Sequence, residues 1–260
     1  MRLFTLFIAL GLCLNLSAQK EGMIEYEEVM QININLEEIP EEFRKFAENM
    51  PKERKSNMVL LFNTEKSMYK ESSIPVEMEN NPFGEGRGHG GRMRMMGGNG
   101  ELYKDIKADK GIRFIDMMGA KFLIQLPAEK TKWKLSNTQK EIAGYVCIKA
   151  TAIVDSSEVI AWFTPQVPVA VGPQGFGDLP GAILMLETKV DRGLLIVRAK
   201  EVKLEALKKE IEEPKKGDKV TEEEFETMMR ERMEQMREQF NNQRENGGDG
   251  DRIIIHGGGR

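Results

Sequence analysis

The chain of 260 residues contains few of the side chains on which many exported domains and enzymes depend, with only two cysteines, two histidines and two tryptophans. Two cysteines exclude a disulfide-stapled miniprotein, and a chain of this length can build a sizeable core without cross-links. Both histidines, His89 and His256, lie in glycine-rich segments, so a Ser-His-Asp or Cys-His centre would depend on flexible parts. The sequence therefore favours a protein that is not an enzyme.

An excess of positive charge is also lacking. Lys and Arg number 38 against 42 Asp and Glu, which gives a formal net charge of −4. A protein that follows a phosphate backbone needs a basic excess or a basic stripe, so nucleic acid is excluded as a partner. The sequence contains no P-loop, no dinucleotide-binding fingerprint, and no HExxH or CxxC motif.

The first 18 residues have the order of a secretory signal peptide, in which Arg2 precedes an apolar run from residue 3 to residue 16 and small residues stand before Gln19. We therefore predict export to the periplasm, to the outer membrane as an associated protein, or to the medium. No later apolar run approaches the ~20 residues of a spanning helix, so we expect no transmembrane span in the mature chain. Cys147 is the one cysteine outside the leader, and its apolar surroundings predict a buried structural thiol.

Alternation of apolar and polar residues predicts many strands joined as hairpins. The predicted strands lie within residues 22–36, 57–62, 67–69, 102–103, 111–118, 121–126, 133–135, 143–154, 158–163, 182–187 and 193–200. The segment 143–154 is apolar on both alternating faces, which predicts a central strand covered on both sides. A turn-forming trio at 155–157 joins it to the next strand.

Two helices are predicted beside the strands. Apolar residues recur at helical spacing from residue 39 to residue 50, in a segment bounded by Pro40 and Pro51. Near the C-terminus Thr221 and Glu224 form a capping box, and an apolar stripe then repeats at spacings of 4, 4, 3 and 4. The stripe consists of Phe225, Met229, Met233, Met236 and Phe240. Hairpins with these helices predict an α+β fold, a predominantly antiparallel curved sheet or open half-barrel with a short inserted helix and a C-terminal amphipathic helix packed on it.

Composition divides the chain into a leader at 1–18, one domain at 19–245 and a glycine-rich tail at 246–260 that we expect to be disordered. Within the domain, residues 75–100 are rich in Gly, Met and Arg and have no periodicity, which predicts a flexible loop. A second unusual segment, 165–181, holds four Pro and four Gly in 17 residues. Because proline fixes φ and glycine permits positive φ, this loop is predicted to be stiff at some points and sharply bent at others.

The second loop contains the sequence DLPGAI at residues 178–183, which resembles the six-residue motif of the GLPGLI proteins of Bacteroidetes. The wider pattern also resembles that family, with IEY at 24–26, IAGY at 142–145, Cys147, KAT at 149–151, AW at 161–162, VP at 167–168, GP at 172–173, GF at 175–176 and the helix after Pro214. Two positions depart from the motif, since Asp178 replaces Gly and Ala182 replaces Leu. The resemblance runs from the leader to about Phe240 and implies an exported envelope protein whose biochemical role is not established.

The loop at 165–181 has two interpretations. As a preorganised loop it could line a pocket or meet a partner. The candidate binding residues are Trp162, Phe163, Phe176, Asp178, Leu179, Pro180 and Gly181. In the other interpretation Leu179, Pro180 and Ile183 close the end of the sheet while the glycines allow a tight crossing.

The loop at 75–100 offers a candidate copper site. His89, Met93, Met95 and Met96 provide one imidazole and three thioethers, which are soft ligands that suit Cu(I). Three arginines in the same stretch repel a cation, and glycine flexibility raises the entropic cost of gathering ligands. A disordered loop without metal is the alternative, and no other cofactor is predicted.

These patterns predict an exported envelope protein that acts as a binding or interaction module for a small apolar ligand or an envelope protein partner. The alternative is a copper-handling accessory to an outer-membrane transport system, which would use the His/Met loop. A hydrolase is a third hypothesis, because paired carboxylates occur among 42 acidic residues, but the sequence does not select a pair. The oligomeric state is left open.

Overall fold

A computed structural model describes residues 20–33, 37, 41–49, 51–73, 100–117, 119–128, 130–190 and 193–246. The predicted leader at 1–18 lies outside these ranges, as do the loop at 75–100 except Gly100 and the tail at 246–260 except Asn246. The domain boundaries inferred from composition therefore stay predictions. Everything that follows concerns the described residues.

Twelve strands and two helices make up the regular structure of these residues. The strands are β1 (Gly22–Ile32), β2 (Glu53–Phe62), β3 (Lys66–Glu71), β4 (Glu101–Asp105), β5 (Lys110–Met117), β6 (Ala120–Leu126), β7 (Lys134–Ile142), β8 (Tyr145–Val154), β9 (Ser157–Thr164), β10 (Ala182–Val190), β11 (Gly193–Lys203) and β12 (Asp218–Thr221). The helices are α1 (Glu41–Glu48) and α2 (Glu222–Asn246). A single 3-10 turn at Pro173–Gly175 lies between β9 and β10.

All twelve strands belong to one sheet, in the order β12-β6-β5-β4-β3-β2-β1-β11-β10-β9-β8-β7. Neighbours are antiparallel except β12, which pairs with β6 in parallel, so that the sheet is mixed. Strand β1 occupies the middle and pairs with β11 on one side and β2 on the other. This pairing joins an early half, β1–β6, to a late half, β7–β11.

The two halves of the sheet fold over each other like the layers of a β-sandwich. One apolar core contains side chains from both halves, among them Tyr26 and Leu60 from the early half and Phe163 and Leu186 from the late half. Strand β7, at the end of the sheet, also comes back into contact with β11. Burial of apolar area between strands, rather than between sheet and helix, therefore stabilises the fold.

The predicted α+β class, with a curved half-barrel and packed helices, is wrong. The described chain is mostly β, in one mixed sheet of twelve strands. The predicted capping box exists, since the Thr221 N–H donates to Glu224 and the Glu224 N–H donates to Thr221. Helix α2 nevertheless meets the sheet near its start, where it contacts β6 and β12 and where Glu222 pairs with Arg113 of β5, and Met236 is 51% exposed. The apolar stripe predicts a helix face that packs on the sheet. Helix α2 instead extends away from the sheet after its first turns.

Other sequence predictions are confirmed or corrected by the strand order. The predicted hairpins and the short helix before β2 are present, and the turn at 155–156 has positive φ at both Asp155 and Ser156. Strand β8, predicted to be central, is next to the last strand of the sheet. Its apolar residues are not all covered, because Val146 is 49% exposed and Ile153 is 71% exposed.

Residues 204–217, called the strap, connect β11 to β12 across the outside of β3, β4 and β5. Ile211 is buried against Met68 and Tyr103. Ion pairs join Glu210 to β3 and Glu213 to β5. Strand β12 was not predicted, because a four-residue parallel edge strand has too little periodicity to be recognised in a sequence. Neither described helix has the length and apolar character that crossing a lipid bilayer requires.

Candidate functional site

A row of side chains crosses one face of the late half of the sheet. Lys149 on β8 pairs with Trp162 on β9, Trp162 with Met185 on β10, and Met185 with Arg198 on β11. Arg198 in turn pairs with Glu27 on β1. Directly paired residues of antiparallel strands lie on the same face, so the register alone brings these five side chains together.

Lys140 of β7 reaches over this row because the sheet folds. Its Nζ lies 4.0 Å from the centroid of the Trp162 ring and 3.0 Å from Met185 Sδ. An ammonium over an indole face is attracted by the ring quadrupole. Burial lowers the pKa of Lys140, the positive charges of Arg198 and Lys149 lower it further, and Glu187 opposes them.

Trp162 is the most constrained member of this group. The residue is 9% exposed, and its Nε1 is buried without a hydrogen-bond partner among the described residues. A buried donor without an acceptor costs about 1–3 kcal/mol relative to the same group in water. The indole N–H is therefore a buried, unpaired donor at the edge of the apolar core.

A cleft of about 340 Å³ borders the same row. It is lined by Glu27, Ala143, Arg198, Ala199 and Lys200. Ala143 stands in the turn between β7 and β8, where φ is 50° at Ala143 and 81° at Gly144, as in the two-residue hairpin turns that follow the twist of the strands. Arg198 belongs both to the cleft and to the row, so the cleft is adjacent to the row that contains Trp162.

The charge of this site is opposite in sign to that of the whole chain. Four cationic side chains, Lys140, Lys149, Arg198 and Lys200, lie close to two acidic ones, Glu27 and Glu187. No acidic side chain of the described residues forms an ion pair with any of the four cations. The arrangement can therefore attract an anionic group into a cleft whose neighbouring surface, at Trp162 and Met185, is apolar.

The candidate residues of the loop at 165–181, called the β9–β10 loop, do not gather at this site. Trp162 belongs to it, but Phe163 points to the opposite face of β9 and is buried in the core. Leu179 is buried in the same core, as are Val167, Val169 and Val171. Pro180 is exposed, and Gly181 is held where a Cβ would lie 2.1 Å from the Thr164 carbonyl oxygen. Leu179 and Ile183 thus occupy the buried positions of the packing interpretation, whereas Pro180 does not.

Hydrogen bonds fix the β9–β10 loop and the start of β10 to the early half of the sheet. The Tyr26 hydroxyl donates to the Ile183 carbonyl at 2.7 Å. Gln174 Nε2 and the Tyr69 hydroxyl both donate to Glu28 Oε2, at 2.7 and 3.0 Å. Burial, followed by the charge of Glu28, raises the pKa of Tyr69 well above its ordinary value. The loop is therefore a fixed wall of the core.

The chain before β7 is attached to the outer side of this loop. Trp133 Nε1 donates to the Gly177 carbonyl at 2.8 Å, and its ring meets the Phe176 ring edge to face at 6.1 Å. Asp178 accepts the Thr131 N–H at 3.1 Å. The φ of Asp178 is 63°, in the left-handed region where glycine is favoured and aspartate is tolerated. Phe176 and Asp178 therefore have contacts within the chain.

Cys147 is fully buried, which agrees with a structural thiol, and burial raises its pKa to about 11. The candidate copper ligands His89, Met93, Met95 and Met96 lie outside the described residues, so that site stays a prediction. In the part of the chain that is described, no three His, Cys, Asp or Glu side chains are grouped to hold a metal ion.

Sequence reasoning identified Trp162 but missed its partners. Lys140, Met185 and Arg198 are each unremarkable in the sequence, and only the register and the fold of the sheet bring them to Trp162. Two of the strand pairings that fix this register contain irregularities, between Leu135 and Gln139 and between Ile183 and Met185. Because a shift of one residue moves each side chain to the other face, such irregularities prevent prediction of the site.

The similarity of this chain to known proteins covers part of its length or is low in sequence identity. Residues 120–225, from β6 to the start of α2, match the family described as N-glycanase peptide, N-terminal domain. Two solved structures of PNGF-II, from crystals in space groups P21 and C2, are 15% and 17% identical to the chain, both with a TM-score of 0.47. The likeness covers 80% and 79% of this chain but 33% and 32% of theirs, so the chain spans about a third of their length. No curated protein matches the chain.

Proposed function

We propose that the protein is an exported binding module, not an enzyme, and that its ligand has an anionic group on a small apolar or sugar body. The ligand site is the cleft between the β7–β8 turn and β11 together with the row from Lys149 to Arg198. An exported location, in the periplasm or on the envelope, and the likeness to GLPGLI proteins belong to the same proposal.

The observation that carries the proposal is the cationic group beside the cleft. Lys140, Lys149 and Arg198 form no ion pairs with described acidic residues, and Lys140 overlies an indole whose buried N–H has no acceptor. Neighbouring cations repel one another, and burial adds a cost to Lys140. A ligand anion would offset both costs, whereas an apolar core position would have no use for them.

The family match supports this proposal in a limited way. The matched residues include all four cations of the site and Trp162. Because the match is to an N-terminal domain of an N-glycanase, an acidic sugar is a reasonable ligand body to test beside an apolar acid. A recognition role next to a separate reaction centre is compatible with such a domain.

Calorimetric titration of the purified protein tests the proposal. Phenylacetate, octanoate and glucuronate are compared with the uncharged phenylacetamide, octanamide and glucose. We expect the anions to bind and the uncharged partners to bind at least tenfold more weakly, because hydrogen bonds to charged groups contribute about 1.5–3 kcal/mol. Arg198→Gln should weaken anion binding. Arg54→Gln, an exposed cation on β2 away from the cleft, is the matched control and should not.

Equal binding of charged and uncharged partners would contradict the proposal, as would anion binding that both arginine variants weaken alike. Protein that binds none of the six compounds would contradict it as well. Chemical-shift or hydrogen-exchange changes confined to residues 140–149 and 198–200 would locate the ligand at the cleft.

A further inference from the structure

We propose that Trp162 Nε1–H and Lys140 Nζ together form a seat for one carboxylate, so that the ligand class is carboxylic acids and Trp162 is the residue that determines specificity. This inference rests on the proposed function, because it names the ligand chemistry of the same site. Arg198, Lys149 and Lys200 attract the anion, and the seat selects it.

Both donors belong to one small volume. The Lys140 ammonium lies 4.0 Å from the centre of the indole whose N–H is free. An ammonium has three donor hydrogens and no acceptor, and the acceptor nearest to this one is the thioether sulfur of Met185, at 3.0 Å. Because a thioether is a weak acceptor, the ammonium gains by exchanging it for a carboxylate oxygen.

The number of donors indicates the class of anion. A carboxylate has two oxygens, so that Trp162 Nε1–H and Lys140 Nζ can satisfy one each. A phosphate or a sulfate would leave further charged oxygens against the apolar surfaces of Trp162 and Met185, where they would lack partners. A primary amide has one acceptor oxygen and brings an NH₂ group, which cannot accept from either donor.

The buried position of Trp162 is what makes the N–H selective. A site that has a buried donor rejects a ligand that leaves that donor unpaired more strongly than an apolar pocket rejects a ligand of the wrong size. Lys140 covers the ring, and a long flexible side chain of this kind can turn aside as the carboxylate enters. The same ammonium then becomes the counter-ion of the bound ligand.

Tryptophan fluorescence makes the test specific, because the chain has two tryptophans. In a Trp133→Phe background Trp162 is the one fluorophore, so titration with phenylacetate reports on its own indole. We expect a saturable change with phenylacetate and with glucuronate. Phenylacetamide should need at least tenfold higher concentration, and sulfate at equal ionic strength should give no saturable change.

Two variants separate the seat from the cleft. Trp162→Phe keeps the ring and removes the N–H, and Lys140→Met keeps the side-chain length and removes the charge. Each should weaken phenylacetate binding about tenfold in calorimetry while phenylacetamide binding changes less than threefold. Trp133→Phe, which removes the other indole N–H of the chain, should leave both affinities unchanged.

Different outcomes contradict the two proposals. If Arg198→Gln weakens phenylacetate binding but Trp162→Phe and Lys140→Met do not, the seat is wrong and the binding module stands. If sulfate binds as tightly as phenylacetate, the carboxylate class is wrong. If wild-type protein binds no anion, both proposals fail. Should Trp162→Phe lack a cooperative thermal transition, Lys140→Met and Lys140→Gln decide the question.

Discussion

The β9–β10 loop and the strap are both long irregular segments that cover the sheet, but they are held in different ways. The loop contributes four buried apolar side chains, and a partly buried hydrogen bond from Gln174 to Glu28 joins it to the early half of the sheet. The buried apolar residues are Val167, Val169, Val171 and Leu179. The strap contributes Ile211 and Leu207 to a small cluster, packs Leu204 against the main core at its start, and is also attached by ion pairs between partly exposed side chains.

This difference indicates which of the two segments can detach while the rest of the protein stays folded. Apolar burial is not screened by salt, and a buried carbonyl that loses its donor carries the full cost of desolvation. Exposed ion pairs contribute about 0–1 kcal/mol each and weaken as ionic strength rises. We therefore expect the loop to open only when the whole fold opens, and the strap to open by itself. The candidate site lies on the late half of the sheet, which also contains the more rigid β9–β10 loop.

The largest expected effect comes from truncating one buried side chain in each segment. Leu179→Ala should lower the free energy of unfolding by about 2–5 kcal/mol, because a leucine in a packed core leaves a cavity. Ile211→Ala should lower it by less, since the strap can detach while the sheet stays folded. Urea unfolding followed by far-ultraviolet circular dichroism gives both values.

Hydrogen exchange measured by mass spectrometry supplies the control for that comparison. In Ile211→Ala, residues 207–213 should lose protection while residues 167–181 keep it. A global loss of protection in Ile211→Ala equal to that in Leu179→Ala would show that the strap belongs to the same cooperative unit as the loop.

Alkaline pH should lower the stability of the fold, because it ionises two buried tyrosines and one buried cysteine. Burial raises the pKa of Tyr26 and Tyr69 well above their ordinary value, and burial raises that of Cys147 from 9.0 to about 11. Each group is neutral when protonated, and the unfolded chain loses its proton first. Stability is therefore complete below about pH 9 and falls as the pH rises, by up to about 1.4 kcal/mol per pH unit for each group.

Urea unfolding at pH 8.5 and pH 10.5 should show a loss of about 1–3 kcal/mol. Cys147→Ala is the control, because it removes the group that titrates first and should make the loss smaller. Stability that does not change up to pH 10.5 would mean that these three side chains are reached by water in the folded protein.

The sequence predicted the local elements of both segments better than their arrangement. Alternation and turn residues revealed most strands, because burial on one face leaves a period of two. The same apolar stripe that predicted a packed helix could not reveal that α2 leaves the sheet, since a stripe shows that a face is apolar and not what covers it. Tyr26 and Gln174 meet different parts of the core only after the sheet folds over itself, and separations of more than 100 residues leave no local signal.

Asp178 shows what a sequence motif does not reveal. The resemblance to the GLPGLI motif has Gly there, and aspartate stood out as a possible functional group. In the structure its φ of 63° explains the glycine, and its carboxylate accepts the Thr131 N–H. The residue at this position of the chain is thus constrained by a backbone conformation, which the side-chain types of the sequence do not reveal.

Substitution of Asp178 separates the backbone requirement from the hydrogen bond. Asp178→Ala keeps the strained φ and loses the acceptor, and we expect a loss of about 1 kcal/mol. Asp178→Gly also loses the acceptor but relieves the strain, so its stability should lie closer to wild type. Thermal unfolding of the two variants gives the comparison, and a glycine variant no more stable than the alanine variant would show that the positive φ does not limit the choice of residue at this position.

The smallest expected effect is that of salt, and it acts on the strap. Lys66 and Glu210 approach to 3.5 Å and Lys110 and Glu213 to 2.8 Å, with side chains 29–76% exposed. Raising sodium chloride from 0.1 to 1 M shortens the screening length from about 10 to about 3 Å, which should speed exchange in residues 207–213 by a few fold.

Residues 167–181 should exchange at the same rate in both salt concentrations, because valines and buried hydrogen bonds hold them. Lys110→Gln removes one of the strap's ion pairs and should bring the exchange at low salt closer to that of wild type at high salt. If salt instead left both segments unchanged, then apolar contacts such as that of Ile211 would hold the strap, and its ion pairs would contribute nothing measurable. Apolar burial would then be the common cause of order on both sides of the sheet.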